Sequence, residues 1–219
     1  MAPRPPGQVF LLSPAHTGGK RAGLLLAGPG RFALARQVHG PGGAPLGDVF
    51  SFLSGLYFRG KLAYARAFAQ PPRGVPPALV ISPAEGLRFP EEHVTAERLR
   101  AWAAVDVSEQ NAAFVRPLVE HARALSGAGG PRCRFVLLGS VASDKYVRPL
   151  MEVFGRRLVF PPVFVGRGDM SRGALLLRAA REGQELDYVP VAGARRHGPR
   201  APSVRAWRPA QKAGVVRPK

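Results

Sequence analysis

The stretch VFLLSPAHTGG, residues 9–19, joins an apolar run to a turn that carries small and ionisable residues. A second stretch repeats the arrangement, because ALVISPAEGL at residues 78–87 also places Ser-Pro-Ala, an ionisable residue and glycine after an apolar run. Short apolar runs that end at such turn signals are typical of buried strands. We therefore predict strands at residues 8–13 and 78–82 that leave the sheet through similar turns.

Short apolar runs alternate with helical patterns along the rest of the chain. Further strands are predicted at 134–139, 157–160 and 187–191, with a weaker one at 23–27. Helices are predicted at 52–69, 95–104, 109–125, 143–154 and 170–182. Ser108, Ser143 and Asp169 are the expected N-caps, and Pro117 should kink or split the third helix. This alternation predicts an α/β domain with a largely parallel sheet flanked by helices.

The length of 219 residues suits one buried core, which we assign to residues 1–192. Residues 193–219 hold eight Lys or Arg, no acidic residue and no helical or strand period. We predict that this segment is a disordered basic arm with Trp207 as its single aromatic anchor. The alternative is an arm that docks on a partner or on nucleic acid.

The net charge of +18 is typical of proteins that bind nucleic acid or an anionic surface. Arginine outnumbers lysine 27 to 5, and the chain has one isoleucine and one asparagine, as GC-rich codons would produce. Codon usage therefore explains part of the basicity. The arm accounts for only eight charges, which leaves +10 on residues 1–192. We expect nucleic acid or a nucleotide as the partner.

The absence of long apolar runs and the single cysteine indicate where the protein is located and whether it uses a cofactor. No apolar run approaches the ~20 residues of a membrane-spanning helix, and Val9 to Leu12 is too short for a signal-peptide core. The single cysteine, Cys133, forms no internal disulfide, supports no metal cluster and is expected to be a buried apolar residue. We predict a cytoplasmic protein that contacts no membrane and uses neither a cofactor nor a metal.

The turns after the strands carry the candidate binding residues. In open α/β sheets, ligands bind outside the carboxyl ends of the strands, where helix N-termini supply unpaired N–H groups. Two further exits, GSVASDKY at 139–146 and FVGRGDMSRG at 164–173, add small residues, a lysine and arginines suited to phosphate or carboxylate. The predicted anion-binding set is Ser13, Ser82, Ser140, Lys145, Gly166, Arg167, Gly168, Ser171 and Arg172.

Three residues at the same exits are candidate acids or bases, namely His16, Glu85 and Asp169. If they are catalytic, their side chains should converge on one concave site. Each also has a structural interpretation, since Ser-Pro forms ordinary turns and Asp169 can cap a helix and pair with Arg172. The 164–173 loop lacks the spacing of a P-loop or a Rossmann fingerprint. We expect Arg172 to point back over its helix N-terminus beside Arg167.

Several motifs, in order, resemble the YaaA-type peroxide-stress proteins and related bacterial domains. They are FLLSPAHT at 10–17, GDVF at 47–50, VISPAEGL at 80–87, VLLGSVASDKYVRPL at 136–150 and SRGALLLR at 171–178. The resemblance implies a cytoplasmic mixed α/β protein with a positively charged cleft, a tendency to bind DNA and a link to oxidative stress. His16 stands where that family usually carries lysine.

RFVLLGSVA at 134–142 also resembles the sheet of uracil-DNA-glycosylase-like proteins. That likeness implies hydrolysis at a nucleoside carbon, with a carboxylate stabilising oxocarbenium charge. Two functions are therefore expected. The first is binding of nucleic acid or a nucleotide-like anion at the carboxyl edge of the sheet, and the alternative is a glycosylase-like hydrolase or transferase acting on a nucleoside or damaged base.

Overall fold

The computed structural model describes residues 7–30 and 32–199. Its strands in these ranges are β1 Gln8–Leu12, β2 Ala44–Pro45, β3 Ala78–Ile81, β4 Leu87–Arg88, β5 His93–Val94, β6 Arg134–Leu138, β7 Leu158–Phe160 and β8 Val189–Pro190. Six of them form one sheet in the order β4, β3, β1, β6, β7, β8. The four inner strands are parallel and the two edge strands are antiparallel. The predicted α/β class with a largely parallel sheet is confirmed.

The central strand β1 explains why the sheet needs helices on both faces. Its five residues are all buried, and it pairs in parallel with β3 and β6, so that Leu11 lies opposite Leu79 and Leu137. Phe10 and Leu12 contact one layer of helices, whereas Leu11 contacts the other. A parallel strand covered on both faces is a continuous apolar run, which is the pattern in the sequence.

Eight α-helices lie within the described residues. They are α1 Lys20–Leu26, α2 Ala33–His39, α3 Leu46–Ser54, α4 Leu56–Phe68, α5 Ala96–Ala103, α6 Ala112–Gly129, α7 Asp144–Phe154 and α8 Asp169–Glu182. The pair α6 and α7 covers one face of the sheet, and the other six helices supply the core on the opposite face. The short pair β2–β5 is antiparallel and forms a separate two-stranded sheet.

Two predicted elements are wrong. The strand expected at 23–27 belongs to α1, where Ala22 and Leu25 are buried while Leu24 is 64% exposed, so burial follows a helical period. The helix expected at 52–69 is divided between α3 and α4 at Gly55, whose φ of 61° breaks the helix. This positive φ favours glycine, whereas the nearest atom to a Cβ at this position would be the end of the flexible Arg21 side chain, which can move away.

The helix N-termini also differ from the prediction. Asn111, not Ser108, caps α6 by accepting a hydrogen bond from the Ala113 amide. Helix α6 continues through Pro117 instead of splitting there. Gly168 occupies the N-cap position of α8, and the Ser143 hydroxyl, although placed before α7, forms no capping bond. Two long helices therefore begin without a side-chain cap.

The described part of the predicted basic arm packs on the domain. Arg196 donates to the Asp144 carboxylate at 2.6 Å, and Gly198 lies against Val165. Residues 200–219 of the predicted arm, including Trp207, lie outside the described residues.

The order of the inner strands creates a crevice between β1 and β6. After β1 the chain adds β3 on one side, and after β6 it adds β7 on the other side. The loops that leave the carboxyl ends of these adjacent strands therefore diverge. This is the topological switch point, where open α/β sheets bind ligands.

Helices α4 and α8 approach each other closely through glycine. A Cβ at Gly60 would lie 2.7 Å from the Gly173 carbonyl oxygen, and a Cβ at Gly173 would lie 2.7 Å from the Leu56 carbonyl oxygen. Because backbone atoms stand in the way, neither position has room for a side chain. The contact fixes α4 against α8 next to the crevice.

Gly173→Ala should lower the free energy of unfolding by at least ~1–3 kcal/mol, because the added methyl group overpacks a backbone contact. Gly127→Ala is the matched control, since Gly127 is also helical but its Cβ would meet no atom within 4 Å. That variant should be more stable by roughly 0.5–1 kcal/mol, as expected for Ala replacing Gly in a helix. Urea unfolding of both variants measures the difference, and equal effects would contradict the close contact.

Candidate ligand-binding site

A cavity of about 820 Å³ lies at the carboxyl ends of β1 and β6. The turn after β1, residues 13–18, forms one side, and Ser140, Lys145 and Tyr146 after β6 form another. Tyr57 from α4 and Asp169 from α8 complete the polar part of its lining. The cavity therefore occupies the switch point of the sheet, and its volume is in the range of small-molecule sites.

Apolar groups also line the cavity. Leu53 at the end of α3 and Pro83 after β3 contribute to it, together with residues 103–107, where Val105 and Val107 are the larger side chains. Asp106 is the one carboxylate in this segment. A ligand in the cavity thus meets both polar groups from the strand exits and helix N-termini and aliphatic groups.

Helices α7 and α8 begin beside the cavity, and neither has a side-chain cap at its N-terminus. Lys145 and Tyr146 lie in the first turn of α7, and Asp169 is the first residue of α8. The first N–H groups of a helix have no partner within the helix and carry partial positive charge. Lys145 forms no salt bridge with any described residue, and its ammonium group lies 5.0 Å from the centre of the Tyr146 ring.

A buried lysine lies behind the turn after β1. Lys61 from α4 is 1% exposed, and its Nζ lies 2.6 Å from the Ser13 carbonyl oxygen and 2.9 Å from Ser13 Oγ. The Tyr57 ring covers the amine at 4.3 Å, and the Phe58 ring lies at 5.0 Å. Lys61 does not line the cavity itself, whereas Ser13 does.

Burial lowers the pKa of Lys61 from 10.5 to about 7, with the charge of Asp169 opposing the shift and that of Arg172 adding to it. The amine is therefore neutral in a large fraction of molecules near neutral pH. A neutral amine donates to the Ser13 carbonyl and offers its lone pair to the Ser13 hydroxyl. Lysines with lowered pKa values are found at functional sites because they can act as bases.

Tyr57 provides a second unusual group. Tyr57 lines the cavity, and its buried hydroxyl has no acceptor for its hydrogen among the described residues, although the Arg172 guanidinium lies near enough to donate to its oxygen. Burial raises the pKa of Tyr57 well above its usual range, although the nearby charge of Arg172 lowers it in part. The phenol is therefore protonated and is a donor without an acceptor, which is costly unless a ligand or water accepts the bond.

Five of the residues expected at the site line the cavity together. They are Ser13, His16, Ser140, Lys145 and Asp169. The lining does not include Ser82, Glu85, Gly166, Arg167, Gly168, Ser171 or Arg172. His16 and Asp169 thus share one concave surface, but the third candidate acid or base, Glu85, is not part of it.

Glu85 belongs to a network of ion pairs beside the cavity. Its carboxylate accepts hydrogen bonds from Arg98, from Arg88 at 2.8 Å and from the Trp102 indole at 2.9 Å. These bonds, above all the one from Arg98, lower the pKa of Glu85 to about 2. Ser82 supports the same turn, because its hydroxyl accepts from the Glu85 amide at 2.8 Å. Both side chains hold the exit of β3 in place.

The arginines of the 164–173 loop contact the backbone of the segment before α8. Arg167 Nε donates to the Val163 carbonyl at 2.9 Å, and Arg172 Nε donates to the Phe164 carbonyl at 3.3 Å. Arg172 also pairs with Asp169 at 3.5 Å, and both arginines are buried. Only Asp169 from this loop reaches the cavity lining.

The sequence interpretation missed Lys61 and Tyr57, although the pattern of α4 contains a signal. Tyr57, Lys61, Tyr64 and Phe68 are spaced by four, three and four residues, which places them on one face of a helix. A single lysine within an otherwise aromatic face is either paired or neutral, because an uncompensated buried charge is expensive.

Comparison with protein-family models, with curated proteins and with solved structures finds no match to this chain. The resemblance to YaaA-type proteins therefore stays a prediction. In the ranges that the structure describes, no helix combines the length and the apolar character needed to cross a bilayer.

The shifted titration of Lys61 should make stability depend on pH. Between its folded pKa of about 7 and its unfolded value of 10.5, the unfolded chain binds more protons, so stability rises with pH. From pH 7 to pH 9 the free energy of unfolding should increase by about 2 kcal/mol. Denaturant titrations at both pH values measure this difference.

Lys61→Met replaces the titrating group by an apolar side chain of similar length, so the increase in the free energy of unfolding between pH 7 and pH 9 should disappear. Lys20→Met removes an exposed lysine at the start of α1, and this variant should show the same increase as the wild type. A rise of the same size in Lys61→Met would show that other groups cause it.

Proposed function

We propose that the protein binds a nucleotide-like anion, such as a nucleoside monophosphate, in the cavity at the carboxyl edge of the sheet. The observation that carries this proposal is the lining of the cavity, which combines two helix N-termini without side-chain caps, a lysine and several aliphatic groups. A nucleotide needs the same combination, because it carries an anionic phosphate together with a flat base whose faces are apolar.

The N-terminus of α7 is the proposed phosphate site. The missing Ser143 cap leaves the first backbone N–H groups of this 11-residue helix for a ligand, and Lys145 in the same turn adds a full positive charge. Phosphate binding at helix N-termini follows from these N–H donors and the helix dipole. Tyr57 independently supports a polar ligand, because it lines the cavity and its hydroxyl lacks an acceptor among the described residues.

The apolar lining residues suit the faces of the base. Leu53, Pro83, Val105 and Val107 offer aliphatic surface, as most small-molecule sites do around a few polar groups. Asp106 and Asp169 are acceptors placed to bind hydroxyl or amino groups of the ligand. Asp169 thus has a binding role in this proposal, next to the α8 N-terminus.

Isothermal titration calorimetry with the four common nucleoside monophosphates tests the proposal. We expect binding by the wild-type chain and a loss of about one to two decades in affinity in Lys145→Ala, because a charge-assisted contact to phosphate is removed. Tyr57→Phe should also weaken binding, by about a decade or less, because a neutral hydrogen bond is lost.

Arg148→Ala is the matched control for Lys145→Ala. It removes one positive charge from the same helix, but Arg148 is exposed, pairs with Glu152 at 3.7 Å and does not line the cavity. The affinity of Arg148→Ala for nucleoside monophosphates should match that of the wild type. If Lys145→Ala and Arg148→Ala lose nucleotide affinity equally, and if DNA binding depends steeply on salt, the protein instead binds nucleic acid through a diffuse positively charged surface.

A further inference from the structure

We infer that Ser13 and Lys61 form a nucleophile and base pair at the floor of the cavity, and that the protein transfers or hydrolyses an acyl group carried as an ester or thioester. The inference rests on the proposed function in that the substrate occupies the same cavity. It assigns a reaction to Ser13, which only lines the cavity in the binding proposal, and to Lys61, which has no part in that proposal.

The arrangement of the two side chains is that of a nucleophile with its base behind it. Ser13 lines the cavity, while Lys61 is buried and contacts the serine from the side of α4. The 2.9 Å between Nζ and Oγ is within the reach required for proton transfer. Lys61 is therefore placed to accept and return protons, and its burial argues against direct attack on the ligand by the amine.

The base is held in position by three groups. Its Nζ lies 2.6 Å from the Ser13 carbonyl, and the Tyr57 and Phe58 rings enclose it at 4.3 and 5.0 Å. These contacts restrict rotation of a side chain that is otherwise flexible. The lowered pKa of about 7 supplies the neutral amine that a base requires.

The proposed reaction conserves atoms and protons. As Ser13 Oγ bonds to the carbonyl carbon, its proton moves to Lys61 Nζ, and the tetrahedral adduct then expels the alcohol or thiol, which takes that proton. In hydrolysis, the neutral amine next accepts a proton from water while the resulting hydroxide attacks acyl-Ser13. The carboxylic acid leaves, and Ser13 Oγ recovers its proton from Lys61.

The surrounding donors suit the oxyanion of such an adduct. Tyr57 lines the cavity, and its protonated hydroxyl has no acceptor among the described residues. The backbone N–H groups of Ala15 and His16, two residues that line the cavity, have no acceptor among the described residues. Donors that are fixed before the reaction stabilise developing charge without reorganisation. A single negative oxygen therefore has neutral donors available in the same cavity.

Gly139 supports the position of the nucleophile. A Cβ at this position would lie 2.8 Å from Ser13 Cβ and 3.0 Å from Ser13 Oγ. Any larger residue at the exit of β6 would displace the Ser13 side chain. Gly139 is therefore a positioning residue, and Gly139→Ala disturbs Ser13 without changing Lys61.

The test uses the full chain and a fluorophosphonate probe, with the modified residue located by peptide mass spectrometry. We expect one label, on Ser13, with a rate that rises as Lys61 loses its proton at its pKa of about 7 and levels off above it. Lys61→Met should slow labelling by at least about 100-fold, which is the lower range for general-base catalysis. Gly139→Ala should slow it as well.

Ser126→Ala is the control for removing a serine. Ser126 binds the Arg157 guanidinium near the end of α6, away from the cavity lining, so labelling of Ser13 should keep its wild-type rate. Hydrolysis of p-nitrophenyl acetate should be lost in Ser13→Ala and unchanged in Ser126→Ala.

An unlabelled Ser13 in folded protein, or full labelling in folded Lys61→Met, overturns the inference. If Lys61→Met does not fold, the wild-type pH profile decides, and a rate that is flat between pH 6 and pH 8 overturns it. Nucleotide binding without Ser13 reactivity removes only this inference. Ser13 reactivity without nucleotide binding instead removes the proposed ligand and leaves the pair in place.

Discussion

The contact between the Lys61 amine and Ser13 is the constraint around which the cavity is built. Placing a lysine at 1% exposure costs solvation free energy, and the chain limits this cost by letting the group lose its charge and by giving Nζ two oxygen neighbours. Helix α4 also lies close against α8 through Gly60 and Gly173, and Lys61 follows Gly60 in α4. The tight helix contact and the buried lysine are therefore neighbours on the helix that reaches the exit of β1.

The sequence predicted the centre of the fold better than its periphery. The bounds of β1, β3 and β6 were predicted to within one residue, because strands buried on both faces are continuous apolar runs that end at Ser-Pro or Gly. The run at 23–27 is equally apolar but belongs to a helix, and its period is visible only once burial is known. The break at Gly55 comes from its positive φ, and a single glycine inside a helical pattern does not by itself predict such a turn.

The site was predicted where the topology alone positions the residues. Ser13, Ser140 and Lys145 follow adjacent parallel strands, so they meet at one edge whatever their side-chain contacts. Residue type was a poorer guide in the glycine-arginine loop, because Arg167 and Arg172 donate to backbone carbonyls that the sequence does not mark as acceptors. Lys61 was missed because it lies within a helix, whereas the candidate residues were sought only in the turns that follow the strands.

The two Ser-Pro-Ala turns show why a short motif does not define a site. Both follow buried parallel strands, yet the Ser82 hydroxyl accepts a bond from its own turn, while the Ser13 hydroxyl lies against an amine from another element. The difference comes from strand order. Strand β3 lies next to the edge strand, where Arg98 neutralises the local carboxylate, whereas β1 borders the crevice with β6. Of the two serines, Ser82 therefore closes its own turn and Ser13 lines the cavity, because only β1 borders the point where the loops of the sheet diverge.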